Sequence, residues 1–161
     1  MDDFDLYRLF KLLHVLAAIA LVSGGIMEAI IGPIAARATS MQEVRAYARL
    51  VYISENYLSL PAAVAIAVFG YLTADRIGYD FFNTTWLLLG QIVFYTIAAI
   101  GLGVLRPAAN RLYRLAREAP DGPVTPEVAA ELAKPLPAIG GAATGLLFVA
   151  IIYLMVAKPA W

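Results

Sequence analysis

Few residues in this chain could do chemistry, and the clearest of them is His14, its only histidine. His14 lies inside residues 6–31, an apolar run long enough to cross a bilayer. A titratable ring is costly in hydrocarbon and is by default a candidate functional group. A neutral imidazole ligates haem iron or copper, and a ring N–H beside an apolar slot suits a quinone. The structural alternative is a polar contact between helices.

Two acidic residues extend this set. Tyr7, His14, Leu21 and Glu28 are spaced seven apart, so on a helix they lie near one face and meet the same neighbours. We expect Glu28 to face the interior of a helix bundle, near Glu55. Both carboxyls are candidates for a proton relay or for structural polar contacts, and pairing of Glu55 with a nearby arginine is the favoured structural alternative.

Depth along the helices suggests partners for His14. Gln91 and Tyr95 are one turn apart on one helical face at a similar depth, and Tyr153 falls in the same half of the membrane. The sequence therefore predicts a polar pocket of His14, Gln91, Tyr95 and Tyr153, with haem b and a quinone as the two candidate cofactors. His14 would be a metal ligand only if haem or copper is bound.

The composition is that of a membrane protein. Hydrophobic residues make up 61% of the 161, charged residues only 15%, and the mean hydropathy is +0.75. Apolar runs at about 6–31, 52–74, 84–105 and 138–157 predict an all-α, polytopic four-helix bundle forming a single membrane domain over 1–161. The absence of cysteine excludes disulfides and thiolate sites. The zero net charge gives no indication of nucleic-acid binding.

The basic residues predict the topology. Eight of them fall in the segments between spans 1 and 2 and between spans 3 and 4, and four at the other face. This bias places both termini outside a bacterial inner membrane. Short amphipathic cytoplasmic helices are expected, one starting at a Ser40–Glu43 capping box and one at Thr125, and Pro61 should kink span 2. Four arginines are expected to contact lipid headgroups: Arg106, Arg111, Arg114 and Arg117.

Gly141 and Gly145 form a small-residue pair typical of close helix packing. Packing inside the bundle is the favoured interpretation. A homodimer or a larger membrane complex is the other.

The first helix also carries a recognisable pattern, LFKLLHVLAA at residues 9–18 followed by Gly24 and Gly25. It resembles the opening helix of bacterial four-helix proteins described only as predicted integral membrane proteins of unknown function. It is more distantly similar to the copper-resistance D membrane domain and to HemJ-type protoporphyrinogen oxidases. The resemblance implies that His14 is a haem-proximal or redox residue. The HemJ-type family also has a lysine inside helix 3, whereas residues 84–105 contain none.

Two functional hypotheses follow. In the first, the protein is a haem- or quinone-associated component of membrane redox chemistry that uses His14. In the second, it is a non-catalytic accessory or scaffold subunit of a larger membrane complex.

The topology is testable because the chain has no cysteine of its own. We expect Thr39→Cys and Asp121→Cys to be protected from an impermeant thiol reagent applied to intact cells, and to react once the membrane is opened. Labelling of both cysteines from outside would reverse the assignment.

Overall fold

The computed structural model describes residues 3–159, and within them the chain is built from helices joined by short loops. Two short π-helical segments, π1 (Ser54–Ser59) and π2 (Gly101–Leu105), join α2 to α3 and α4 to α5 without a break. The α-helices are α1 (Asp3–Ala35), α2 (Met41–Ile53), α3 (Leu60–Arg76), α4 (Thr85–Ile100), α5 (Arg106–Glu118), α6 (Pro126–Leu132) and α7 (Pro135–Ala157).

Four helical stretches are long and apolar enough to cross a membrane, which confirms the predicted all-α fold. They are longer than the predicted runs. The second covers Met41–Arg76 and the third Thr85–Glu118, and 36 helical residues extend about 54 Å against a hydrocarbon thickness of about 30 Å. The polar helices α2 and α5 continue the spans, so both stretches project beyond the bilayer.

The spans pack in a definite order. The first span, α1, packs along α3 and also touches α2 and α7, whereas α4 packs mainly against α7. A central cluster joins one residue from each span: Leu21, Ala62, Ile97 and Phe148. Gly25 allows the close approach of α7, since a Cβ there would lie 2.8 Å from Phe148 Cε2. Consequently α3 and α7 are the main neighbours of α1 among the spans, ahead of α4.

Each π segment ends two residues before a proline. Leu60 N–H bonds to Glu55 O just before Pro61, and Arg106 N–H bonds to Gly101 O just before Pro107. A proline inside a helix lacks the N–H and crowds the carbonyl four residues back, and a widened π turn relieves this crowding. The expected disturbance at Pro61 therefore takes the form of a π turn, and the helix continues through it.

A second core lies among the polar helices. Met41, Val44, Ala48, Ala116 and Val128 are almost completely buried together, joining α2, α5 and α6. The Ser40–Glu43 capping box is formed as predicted, and Thr125 caps α6. Arg45 of α2 donates to Ala116 O of α5 at 2.9 Å and to Ala119 O of the loop after α5 at 2.7 Å, which ties these segments together. We call this unit, formed by α2, α5 and α6, the cap.

The loop at the opposite end of the bundle is folded around Asp80. Its carboxylate accepts hydrogen bonds from the Asn83 side chain and from the backbone N–H groups of Phe82 and Asn83. These bonds, the Asn83 amide above all, lower the pKa of the Asp80 carboxyl. Nearby, Lys158 Nζ lies over the Tyr79 and Trp86 rings, 5.8 and 5.1 Å from their centroids.

The expected close packing at Gly141 and Gly145 is wrong. A Cβ added at either glycine would meet no atom within 4 Å. The packed glycine of α7 is Gly140, whose added Cβ would contact Ile100, Val104 and Leu105 at 3.3–3.4 Å. The rotation of α7 therefore turns the Gly141–Gly145 face away from the bundle.

The cap offers a test of this architecture. Met41 is completely buried, so Met41→Ala should lower the free energy of unfolding of the cap by about 2–5 kcal/mol. Limited proteolysis at residues 119–125 should detect this as faster cleavage. The adjacent Gln42 is exposed, and Gln42→Ala should leave the cleavage rate unchanged. Equal rates in both variants would contradict a packed cap.

Candidate functional site

His14 lies in the interface between α1 and α3. Its Nδ1 is 3.0 Å from the carbonyl oxygen of Ile66, one turn before Gly70. A Cβ at Gly70 would lie 2.9 Å from His14 Cε1 and 3.0 Å from Nδ1, so the glycine provides the space that the ring occupies. One turn earlier on α1, Phe10 stacks on Phe69, with 6.3 Å between the ring centroids.

The hydrogen bond fixes the tautomer of the ring. A carbonyl oxygen can only accept, so Nδ1 carries the proton and donates it. In the neutral ring Nε2 then presents its lone pair, and among residues 3–159 no second hydrogen bond engages the ring. Histidines that ligate metals are commonly oriented in this way, with one ring N–H on a backbone carbonyl and the other nitrogen free.

The predicted pocket of His14, Gln91, Tyr95 and Tyr153 is not assembled. Gln91 Nε2 donates to Phe81 O at 3.0 Å, and the side chains of Tyr95 and Tyr153 are more than half exposed. Depth alone was the basis of the prediction, and the helix order overrides it: α1 packs on α3 and α7, while Gln91 and Tyr95 belong to α4. Binding roles for Gln91, Tyr95 and Tyr153 therefore stay predictions from the sequence alone.

A second polar group lies nearer the cap, where α1 meets π1. Glu28 lies beside the side chains of Ser54 and Glu55, and Glu55 is 6% exposed. Gly24, one turn before Glu28, lets π1 approach, since its added Cβ would be 2.5 Å from Ser59 Oγ and 3.2 Å from Ser54 Oγ. We refer to Glu28 and Glu55 as the carboxyl pair.

The π turn creates this arrangement. Residues five apart lie about 140° apart around an α-helix, yet Ser54 and Ser59 both face Gly24. The i→i+5 bonding of a π turn brings such residues onto one side. Pro61, which favours the π turn, therefore also positions the polar side chains.

Arg106 closes the group from α5. It lies within electrostatic range of Glu55, and its Nε donates to Asn56 Oδ1 at 3.0 Å. Asn56 Nδ2 donates in turn to Asn110 Oδ1 at 2.8 Å and to Tyr52 O at 2.9 Å. Arg106 thus approaches Glu55, and side chains from α1, π1 and α5 meet in one layer. The pairing of Glu55 with an arginine stays a prediction.

Three buried polar atoms lack partners in this part of the bundle. Glu28 Oε1, Ser54 Oγ and Thr144 Oγ1 make no hydrogen bond of acceptable geometry within the described residues. Ser54 is 1% exposed. Thr144 precedes Phe148 by one turn and Glu28 follows Gly25 by about one turn, so antiparallel packing of α1 and α7 puts the two at one depth. Buried polar groups in lipid are costly unless paired.

Most of the chain matches the profile of a known protein family. The sequence profile of a family described as predicted integral membrane protein, DUF2269, matches residues 8–159. The protein belongs to this family. The resemblance drawn from helix 1 to predicted integral membrane proteins of unknown function is therefore confirmed. No curated protein and no solved structure shows a significant match to the chain.

Two of the four arginines expected at lipid headgroups have intramolecular partners in this DUF2269 protein. Arg106 turns inward to Asn56, and Arg111 Nε lies 3.0 Å from the buried carboxylate of Glu131, which also pairs with Lys134. Each of these two arginines therefore binds an amide or a carboxylate of its own chain. Arg114 and Arg117 are exposed, and their headgroup role stays a prediction.

Sequence reasoning missed the residues that receive the polar side chains. Gly70 provides the space for the His14 ring, and Ile66 provides a backbone oxygen. Neither contribution can be recognised from the residue type alone. Asn110 could have been found, because it follows Arg106 by one helical turn and so shares its face.

The role of Arg106 can be measured. Arg106→Ala leaves the buried carboxylate of Glu55 and Asn56 Oδ1 without their partner, and we expect a loss of about 1–3 kcal/mol in the free energy of unfolding. The exposed Arg114, on the same helix, provides a matched control, and Arg114→Ala should change stability by no more than about 0.5 kcal/mol. Reversible unfolding in mixed micelles measures both, and equal effects would contradict an inward-facing Arg106.

Proposed function

We propose that this protein is a haem-binding component of bacterial membrane redox chemistry, with His14 as an axial ligand of haem b. The observation that carries the proposal is the orientation of the ring. Its Nδ1 is committed to Ile66 O, which leaves the Nε2 lone pair for iron.

The surroundings of His14 support a ligand role. The ring is held between a backbone carbonyl and the flat surface of Gly70, so its rotation is restricted before any ligand binds. It is also only half-buried, so a group at the lipid-facing side of α1 and α3 can be reached. A ligand fixed in this way loses little conformational freedom on binding.

The donor set fits a haem better than a bare metal ion. Within residues 3–159 there is no group of three or more His, Cys, Asp or Glu side chains that could hold a metal ion. A haem brings four nitrogen ligands of its own and needs one or two from protein. With one histidine in the chain, a second axial histidine would come from another copy. When bound, the haem supplies one-electron exchange.

The tautomer also distinguishes haem from quinone. A quinone carbonyl needs a donor, and the single proton of a neutral His14 ring is already given to Ile66 O. The same Nε2 could accept a hydrogen bond from the hydroxyl of a quinol. The geometry therefore favours iron or a quinol over an oxidised quinone.

A non-catalytic accessory subunit is the second candidate. The observation in its favour is that the His14–Ile66 bond already joins α1 to α3, and such interhelical contacts explain many polar residues in membranes. The open Gly141–Gly145 face is available for contact with another protein.

Optical spectroscopy of the purified protein tests the proposal. We expect a Soret band, its loss in His14→Ala, and a shifted or weakened band in Gly70→Ala, because the new Cβ displaces the ring. Gly32 is the matched control, since a Cβ there meets no atom within 4 Å, and Gly32→Ala should leave the band unchanged.

Two results would reject haem ligation by His14. One is a wild-type protein without a Soret band after expression with added haem precursor. The other is an unchanged band in His14→Ala. Absence of the band together with a stoichiometric co-purifying membrane protein would favour the accessory role.

A further inference from the structure

The carboxyl pair is the least explained feature of the bundle. Glu28 and Glu55 reach the same site from different helices, beside the buried hydroxyl of Ser54. Ser54 Oγ and Glu28 Oε1 make no hydrogen bond of acceptable geometry among the described residues, although their side chains are neighbours. Buried polar atoms are normally paired, so this site calls for a further hydrogen-bond partner.

The charges around the carboxyl pair indicate what this partner is. Among the described residues, Arg106 is the one cation found within electrostatic range of the pair, and it lies on the Glu55 side. The other elements that pack on α1 offer none: α7 carries no charged residue, and those of α3 are at its far end. Of the two arginines on α2, Arg45 is engaged by α5 and the loop after it, and Arg49 is exposed. Two ionised carboxylates and one arginine leave one negative charge uncompensated, so a single positive charge is needed.

A proton meets both requirements. On Glu28 Oε1 it would form an O–H group able to donate to Ser54 Oγ, which pairs two of the three unpartnered atoms in one step. It also needs no extra room where Ser54 and Ser59 pack directly on Gly24. We propose that Glu28 and Glu55 form a proton-binding site that holds one exchangeable proton between them in the membrane.

The site has the features of a proton relay station. Ionisable groups inside membranes commonly mark proton pathways, and π turns recur at functional positions. Arg106 and Asn110 connect the pair to α5 and the polar cap through Asn56. This inference does not depend on haem binding, because His14 lies on another part of α1.

Infrared spectroscopy of the protein in lipid nanodiscs, with ¹³C-labelled glutamate, tests the proposal. At neutral pH we expect one labelled carboxylic C=O band from a protonated glutamate, which disappears reversibly as the pH is raised. Glu28→Gln should abolish it and mimic the protonated form sterically. Glu118 is exposed at the end of α5, and Glu118→Gln should leave the band intact.

Two further measurements separate a proton site from a structural one. Ser54→Ala should keep the band but shift its frequency, because it removes the hydroxyl that accepts the hydrogen bond. Replacing choline chloride with sodium chloride should change nothing. A wild-type spectrum with no protonated glutamate at neutral pH, an unchanged band in Glu28→Gln, or loss of the band in sodium would each overturn the proposal. The wild-type measurement stands even if a variant fails to fold.

Discussion

The close packing of α1 on the second span determines where His14 and the carboxyl pair lie. The contact is reciprocal. Gly70 on the second span receives the His14 ring from α1, and Gly24 on α1 receives Ser54 and Ser59 from the second span. The two sites lie about 15 Å apart on α1 and about 16 Å apart on its partner, so one antiparallel register serves both. In lipid, such approaches depend on small residues because the apolar surfaces gain little from leaving hydrocarbon.

The sequence was sufficient for properties that depend on one helix at a time. Hydropathy predicted the four spans, and cap chemistry predicted where α2 and α6 begin, because each signal is local. The seven-residue spacing of His14 and Glu28 correctly placed both on the side of α1 that faces one neighbour. The identity of that neighbour was not available, since depth does not specify rotation or helix order. For this reason depth alone predicted a pocket of Gln91 and Tyr95, which belong to a helix that packs mainly on α7. The pairing of Glu55 with an arginine stays a prediction, and Arg106 approaches it.

The two prolines illustrate how a local signal can have a non-local effect. Pro61 was expected to kink a helix, and it coincides with a π turn that gathers serines onto one face. Pro107 follows the second π turn, directly after Arg106. Each widened turn therefore ends next to the polar layer, one supplying Ser54 and Glu55 and the other their cation. Sequence reasoning finds the prolines easily, but the direction in which a widened turn rotates its side chains depends on the packed neighbours.

The cap and the bundle are stabilised in different solvents. The cap core of Met41, Val44, Ala116 and Val128 lies among arginine-bearing helices that extend past the bilayer, so the exclusion of water drives its burial. The bundle core around Leu21 and Phe148 is surrounded by lipid, where that driving force is absent. Urea and low temperature weaken burial from water, whereas lipid composition acts on packing within the bilayer. The molecule therefore combines two cores that we expect to respond separately to these conditions, joined by the continuous helices that cross the boundary between them.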